Sequence, residues 1–346
     1  MAAIIFRYMR GKVTVGIPMF QAEAYIKRAL LSVLNQDYRN FDVVVVDDGS
    51  TDGSSAIVRN VQAEHLLGDS VRLIQLAANG GVGNARNRII DEADGDFLFF
   101  LDSDDFISPN ALSLLVGEAD HNDAQLAIAS YEKHDVEGTC SSMVYGNSCF
   151  TRHGELADYA FSHYGKFQSS VCNILYRLDF LRFTGVRFNT ADYWEDMSFL
   201  YELLPYVSRA ALLSDITYFY YCRNGSLSHY QKRDFIPKSE VQHNIDTIHR
   251  IQESCRRILP EAYAGNVFFN LQMNCLYIVI DIVVKRKAIS PAFDTGELRE
   301  AVRHPLSFGQ IMRLRRKRFP NALLSVLSHL PRWVFMTVVM AFRKMI

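Results

Sequence analysis

The sequence lacks several features that would indicate other classes of protein. Its six cysteines form no C-x-x-C pair, which argues against a zinc knuckle or a thioredoxin-like site and favours reduced thiols in the cytoplasm. The 37 Lys and Arg residues balance 38 Asp and Glu residues, so no excess of positive charge indicates a nucleic-acid partner. No apolar run reaches the roughly 20 residues of a membrane span, and the N-terminus does not resemble a signal peptide.

The residues that are present predict a folded α/β chain. Hydrophobic residues make up 49% of the 346 positions, and aromatic residues 12%. In the first half, short continuous apolar runs alternate with segments of helical periodicity, which is typical of a mostly parallel sheet buried on both faces. The predicted strands cover residues 13–17, 42–46, 71–76, 97–101, 124–130 and 216–222. We predict a loop over 131–155, a helix over 191–204 and a mainly helical region from about 235 onward.

Two carboxylates follow the predicted strand 97–101. Asp102 and Asp104 are two residues apart, so in an extended segment their side chains project the same way. A divalent cation would relieve the repulsion between them, and Mg²⁺ and Mn²⁺ prefer such oxygen ligands. The alternative is a solvated turn that leads into a helix near Pro109.

Two further polar segments surround the same predicted sheet edge. Asp48 follows the strand 42–46 beside a glycine turn, where its carboxylate can accept an N–H of a nucleobase, while Ser50 and its neighbours are typical helix-capping residues. The segment 79–87, NGGVGNARN, combines flexible glycines with a helix start and with Arg86, which suits an anion. It is not a dinucleotide fingerprint, because that motif follows the first strand directly.

Five segments in this order resemble glycosyltransferase family 2, over about residues 12–225: VGIPMF, VVVVDDGSTDGS, NGGVGNARN, GDFLFFLDSDD and WED. The resemblance implies a GT-A fold with a Rossmann-like nucleotide-binding half. It also implies transfer of a sugar, with inversion, from a nucleoside diphosphate sugar to a saccharide hydroxyl. UDP is the expected nucleotide, and Mn²⁺ or Mg²⁺ the expected cofactor.

The resemblance also implies roles for single residues. Pro18 and Phe20 would close over the base, Asp48 would bind the base, and Arg86 would lie near base and phosphates. Asp104 would bind the metal and Asp102 the ribose and metal, with Asp196 as general base. The remaining predicted donor-site residues are Asn79, Gly83, Ser103, Trp194 and Arg223, with Glu195 as a second catalytic residue and His229 as a further metal ligand.

Several of these positions have a second interpretation. Glu195 could be a solvated helix residue, and Trp194 could pack in the core rather than under a sugar ring. Arg223 and His229 either close over the diphosphate or belong to an exposed polar loop. Gln21 departs from the family, which often has Asn there. The other histidines, among them His134, show no spacing typical of metal ligands.

The predicted organisation has three parts. Residues 1–11 are an extension, residues 12–225 the catalytic domain, divided into a nucleotide-binding half (12–130) and an acceptor half (131–225), and residues 226–346 a helical region. That region contains a basic run, 313–318, followed by apolar residues. Such a segment suits an anionic membrane surface, or packing on the catalytic domain or on a second subunit. Peripheral binding to the inner face of the cell membrane would suit a lipid-linked acceptor in the synthesis of bacterial capsule, O-antigen or exopolysaccharide.

Two other functions compete with sugar transfer. A nucleotidyltransferase would need a glycine-rich basic loop after the first strand, where IPMFQAEAY stands instead. A non-catalytic scaffold with a degenerate site would not require intact carboxylates at 48, 102, 104 and 196.

Overall fold

The computed structural model describes residues 11–135, 137–165, 169–189, 194–222 and 234–342. The predicted site residues Arg223 and His229 lie outside these ranges. The chain divides into two compact units, residues 1–156 with 169–229 and residues 157–168 with 230–346.

The first unit is a mixed α/β structure. Its strands are β1 (Val13–Met19), β2 (Phe41–Asp47), β3 (Val71–Gln75), β4 (Phe97–Phe100), β5 (Phe106–Ile107), β6 (Leu126–His134), β7 (Cys140–Met143), β8 (Ser148–Phe150), β9 (Ile174–Arg177) and β10 (Ala210–Tyr221). Its helices are α1 (Ile26–Leu34), α2 (Ser54–Glu64), α3 (Val82–Glu92), α4 (Ala111–His121), the start of α5 (Glu155–His163), α6 (Leu178–Thr184) and α7 (Glu195–Leu203).

One sheet runs through this unit in the described part of the chain. Its order is β3-β2-β1-β4-β9-β6-β10-β5, with β7 beside β6 and β8 beside β10. The strands β1 to β4 are parallel, as predicted, whereas β9 runs antiparallel between β4 and β6. All residues of β1 and β4 are buried, which is typical of a sheet covered on both faces. The carboxyl ends of β1, β2 and β4 therefore share one edge, where ligands of such sheets bind.

Local sequence explains why these elements form. The strand β2 has four consecutive valines, whose branched side chains favour the extended backbone. In α1 the buried residues recur at helical spacing: Ile26, Ala29, Leu30, Val33 and Leu34. Two predictions need correction. Residues 131–155 are not a loop, because β6 continues to His134 and β7 and β8 follow. Within the described residues, the helix predicted over 191–204 begins only at Glu195.

A glycine sets the distance between α3 and β1. A Cβ on Gly16 would lie 2.2 Å from Cγ2 of Ile89, so a larger residue would push α3 away from the sheet. Ile89 is three residues after Arg86 and therefore shares its helix face. The close contact between Gly16 and Ile89 therefore fixes the position of Arg86 at the edge of the sheet.

The second unit is mainly helical. Its elements are most of α5, β11 (Ile236–Pro237), α8 (Lys238–Ser254), α9 (Ala264–Val284), β12 (Ile289–Ser290), α10 (Thr295–Ala301), α11 (Phe308–Arg313), α12 (Arg318–Leu327) and α13 (Arg332–Phe342). The helix α9 packs against α8, α10, α12 and α13 and forms the centre of the unit.

The helix α9 has the length and composition of a membrane span, although no apolar run of that length is predicted above. It has 21 residues and a mean hydropathy of 1.8 in its most apolar window. However, 56% of that window is buried inside the protein, where the helix contacts the neighbouring helices of the unit.

Candidate active site

A single arginine gathers three carboxylates at the sheet edge. Nη1 of Arg86 lies 3.0 Å from Oε1 of Glu195 and 2.5 Å from Oδ1 of Asp196, and Nη2 lies 2.9 Å from Oδ1 of Asp102. Arg86 is only 3% exposed. The structure thus brings together four of the predicted site residues from three different elements: the helix α3, the segment after β4 and the first turn of α7.

Burial and charge shift the acidity of this cluster. Burial raises the pKa of Asp196 well above its ordinary value, although Arg86 opposes the shift. Burial by itself lowers the pKa of Arg86, but Asp196, Asp102 and Glu195 outweigh that effect and raise it. Arg86 therefore stays charged, while Asp196 is a carboxylate that takes up a proton more readily than an ordinary aspartate.

The start of α7 positions Glu195 and Asp196. The preceding Trp194 has a φ of 68°, in the left-handed region, which costs roughly 1–2 kcal/mol for a non-glycine residue. Asp196 Oδ2 accepts a hydrogen bond from the backbone N–H of Val171 at 3.3 Å, in addition to its contact with Arg86. Unusual backbone at a cluster of charged groups is typical of functional sites. Trp194 itself is partly exposed.

Asp48 organises the glycine-rich loop that precedes α3. Its two carboxylate oxygens accept the backbone N–H groups of Gly80, at 2.9 Å, and Gly81, at 2.8 Å. Oδ1 of Asn79 also accepts from the Gly81 N–H, at 2.9 Å. Burial raises the pKa of Asp48, although the two backbone hydrogen bonds oppose the shift. Asp48 is 3% exposed, and its contacts hold this loop in place. Binding of the base by Asp48 stays a prediction.

The other predicted donor residues lie along the same edge. Pro18 is buried in β1 and pairs in register with Val46, whereas Phe20, just after β1, is 41% exposed. Ser103 is buried. Gly83 lies in the first turn of α3, where a Cβ would be 2.2 Å from the backbone oxygen of Asn189, so only glycine allows this contact.

Residues outside the predicted site support Asp102 and Asp104. Asp105 is fully buried and accepts hydrogen bonds from the Tyr218 hydroxyl, at 2.6 Å, and from the Tyr221 backbone N–H, at 2.8 Å. The Tyr218 hydroxyl also accepts from the Asp102 N–H, at 3.3 Å. Burial, together with Asp102 and Asp104, raises the pKa of Asp105 well above its ordinary value.

A stacked arginine holds the other side of this turn. Arg28 donates from Nη2 to the backbone oxygen of Asp104 at 2.5 Å, and its guanidinium lies over the rings of Phe106, at 5.0 Å, and Tyr221, at 4.6 Å. The sequence signal for both supports is modest. Asp105 continues the acidic motif and an aromatic run fills β10, but Arg28 carries no motif at all.

The charges of the cluster fit a divalent cation. If Asp102, Glu195 and Asp196 are all ionised, their three negative charges exceed the charge of Arg86 by two. Asp104 adds a further carboxylate two residues after Asp102. Oxygen ligands with excess negative charge are the donor set that Mg²⁺ and Mn²⁺ prefer. The charge and the ligand type of the described site residues therefore suit such an ion.

Part of the chain matches a known protein family. Residues 14–181 match the model of glycosyl transferase family 2. An uncharacterized glycosyltransferase of Haemophilus influenzae is 34% identical over 132 residues, 38% of this chain and 52% of that protein. The succinoglycan biosynthesis protein ExoO of Rhizobium meliloti is 31% identical over 230 residues, 65% of this chain and 64% of that protein. The chain thus matches between half and two thirds of the length of these two relatives.

The fold is also similar to a solved structure. The crystal structure of S. aureus TarS 1-349 in complex with UDP-GlcNAc aligns with this chain at a TM-score of 0.68 and 20% sequence identity. The alignment covers 96% of this chain and 92% of the TarS chain. The predicted α/β architecture of the GT-A type, with a helical C-terminal region, is confirmed by this likeness.

Proposed function

Since residues 14–181 belong to glycosyl transferase family 2, we propose that the chain transfers a sugar, with inversion, from a UDP-sugar to a hydroxyl of a saccharide acceptor. The observation that carries the proposal is the junction of Asp196 and Asp102 at the Arg86 guanidinium. The general base and the donor-binding carboxylate then flank one reaction centre. The acceptor belongs to the synthesis of a bacterial surface polysaccharide, which a relative named for succinoglycan biosynthesis supports.

Asp196 takes the proton from the acceptor hydroxyl as that oxygen attacks the anomeric carbon. The bond between this carbon and the diphosphate oxygen breaks on the opposite face, so the configuration inverts. The raised pKa of Asp196 suits this role, because a base works best when its pKa approaches the working pH. Arg86 fixes the carboxylate while the proton moves.

The leaving diphosphate needs compensation for its developing charge. Mn²⁺ or Mg²⁺, held by Asp102 and Asp104, would supply it when bound. Arg28 and Asp105 keep the backbone of these two residues in place from either side. The ligand in the TarS structure, UDP-GlcNAc, supports a uridine donor. Phe20 and the loop held by Asp48 are our proposed contacts to the base.

The test is the variant Asp196→Asn. It keeps the shape of the side chain but cannot accept the proton, so we expect turnover to fall by about 10²- to 10⁴-fold. UDP release with Mn²⁺ measures turnover, and calorimetry with the same UDP-sugar measures donor binding, which should persist. Asp69→Asn, at an exposed position, is the matched control. Near-wild-type turnover of Asp196→Asn would reject the assignment of the base.

We further propose that the second unit binds an anionic membrane surface through α12 and α13. Phe319, Leu323 and Val326 of α12 are 71%, 69% and 48% exposed and recur at helical spacing, while other residues of α12 are buried. Trp333 at the start of α13 is 74% exposed. The basic run 313–318 directly precedes this apolar stripe, a combination typical of peripheral membrane helices.

Flotation with vesicles that contain an anionic lipid tests this surface. The double variant Leu323→Ser, Val326→Ser should lose binding, and added salt should weaken the binding of the wild type. Phe183→Ser is the control, because Phe183 is 82% exposed but belongs to the first unit. If the double variant floats like the wild type, or instead changes the oligomeric state of the chain, the membrane proposal is wrong.

A further inference from the structure

Three potential metal ligands of different chemistry share one face of the hairpin formed by β6 and β7. In this antiparallel pair, His134 lies directly opposite Cys140, and Glu132 lies opposite Ser142. Side chains of directly opposed residues lie on the same face of a sheet, as do those two positions apart along a strand. The carboxylate, the imidazole and the thiol therefore project from the same face, next to the turn that joins the strands.

The ligand atoms of these three side chains lie close together. One atom from each of Glu132, His134 and Cys140 can be chosen so that all three are within 4.8 Å of one another. No other group of three or more His, Cys, Asp or Glu ligands this close is found in the part of the chain that the structure describes. Atoms bound to one tetrahedral Zn²⁺ ion are roughly 3–4 Å apart, so small side-chain rotations would bring the three into coordination range.

Packing against a tyrosine fixes the orientation of the His134 ring. This ring stacks on the ring of Tyr221, with centroids 4.4 Å apart and an interplanar angle of 6°. Nε2 of His134 is buried and lies 2.7 Å from Oε1 of Glu132, yet it makes no hydrogen bond of acceptable geometry. A buried nitrogen without a hydrogen bond is uncommon. A metal ion bound to both groups would give it a partner, once the two atoms move apart to the roughly 3.3 Å that tetrahedral coordination requires.

We propose that Glu132, His134 and Cys140 form a zinc site that is separate from the donor site. Zn²⁺ accepts sulfur, nitrogen and oxygen ligands together, whereas Mg²⁺ and Mn²⁺ favour oxygen. Three protein ligands leave a fourth position for water or another ligand. The ion would join β6 to β7 beside the end of β10, where Tyr221 packs. Binding only to the folded chain, it would stabilise the first unit by mass action.

Cobalt serves as the probe, because Co²⁺ occupies zinc sites and shows a thiolate charge-transfer band in the near ultraviolet. The full chain is titrated with Co²⁺ under reducing conditions, and Zn²⁺ is then added in competition. We expect one equivalent of Co²⁺ to produce the band and Zn²⁺ to abolish it. Cys140→Ser should remove the band, and His134→Gln should weaken Zn²⁺ binding by roughly tenfold or more.

Cys149→Ser is the matched control, since Cys149 is also exposed and lies on β8 in the same sheet. It should keep both the band and the affinity. Thermal melts without metal show whether each variant is folded, and Asp104→Asn keeps the zinc site while it weakens the donor site. A wild type without the band, or a band that survives Cys140→Ser, would overturn the proposal whatever the outcome for sugar transfer.

Discussion

Replacing Arg86 by Met tests whether this arginine balances the carboxylates of the candidate site. The change removes a charge that is 3% exposed and lies within 3.0 Å of three carboxylates. Removal of one partner of a buried ion pair costs about 3–5 kcal/mol, because the remaining charges lose their compensation. We expect the free energy of unfolding of the first unit to fall by about that amount at pH 7.5.

The pH dependence of this loss has a definite sign. The pKa of Asp196 in the folded chain is raised, so the folded state holds its proton to a higher pH than the unfolded state does. A carboxyl of this kind lowers stability as the pH rises from its unfolded pKa, about 3.9, towards its folded pKa. Without Arg86, the pKa of Asp196 in the folded state rises further, so the stability lost with rising pH becomes larger. The deficit of Arg86→Met should therefore be smaller at pH 5 than at pH 7.5.

The assay uses the two tryptophans of the chain, Trp194 and Trp333. In a Trp333→Phe background, fluorescence reports only on Trp194, which belongs to the first unit, so urea unfolding of that unit is followed by itself. Arg88→Met is the control. It removes an exposed ion pair with Glu92 on the same helix, which contributes only about 0.3–0.5 kcal/mol. A deficit below about 1 kcal/mol for Arg86→Met, or one that does not change with pH, would refute the reasoning.

Three further predictions concern the surroundings of the site. Gly83→Ala places a Cβ 2.2 Å from the backbone oxygen of Asn189 and should cost about 1–3 kcal/mol in urea unfolding, whereas Gly309→Ala meets no atom within 4 Å and should be neutral or slightly stabilising. Asp48→Ala leaves two loop N–H groups without their acceptor, so we expect a loss of about 1–3 kcal/mol and weaker UDP binding by calorimetry. Unchanged UDP affinity would contradict the loop's role. Asp105→Asn removes a buried carboxyl with a raised pKa, so its stability relative to the wild type should improve as pH rises from 4.5 to 7.5. The opposite trend in urea melts would show that the hydrogen bonds from Tyr218 and Tyr221 stabilise the Asp105 carboxylate more than burial destabilises it.

Sequence patterns predicted the parts of the structure that depend on neighbouring residues. The four valines of β2 and the spacing of apolar residues in α1 determine these elements locally. The prediction failed over 131–155 because β7 and β8 contain polar and small residues. Their extended form comes from pairing with β6 and β10 rather than from their own composition.

The residue types at the edge of the sheet could also be predicted, since strand ends place Asp48 and Asp102 there and the order of the family motifs adds Asp196. Their partners could not be predicted, because they depend on the three-dimensional packing. Arg86 meets Asp196 across 110 positions of the chain, and Asp105 meets Tyr218 across 113. Local patterns carry no information on such contacts, because they arise from the packing of distant elements, and that packing also determines which carboxylates are buried and how their pKa values shift.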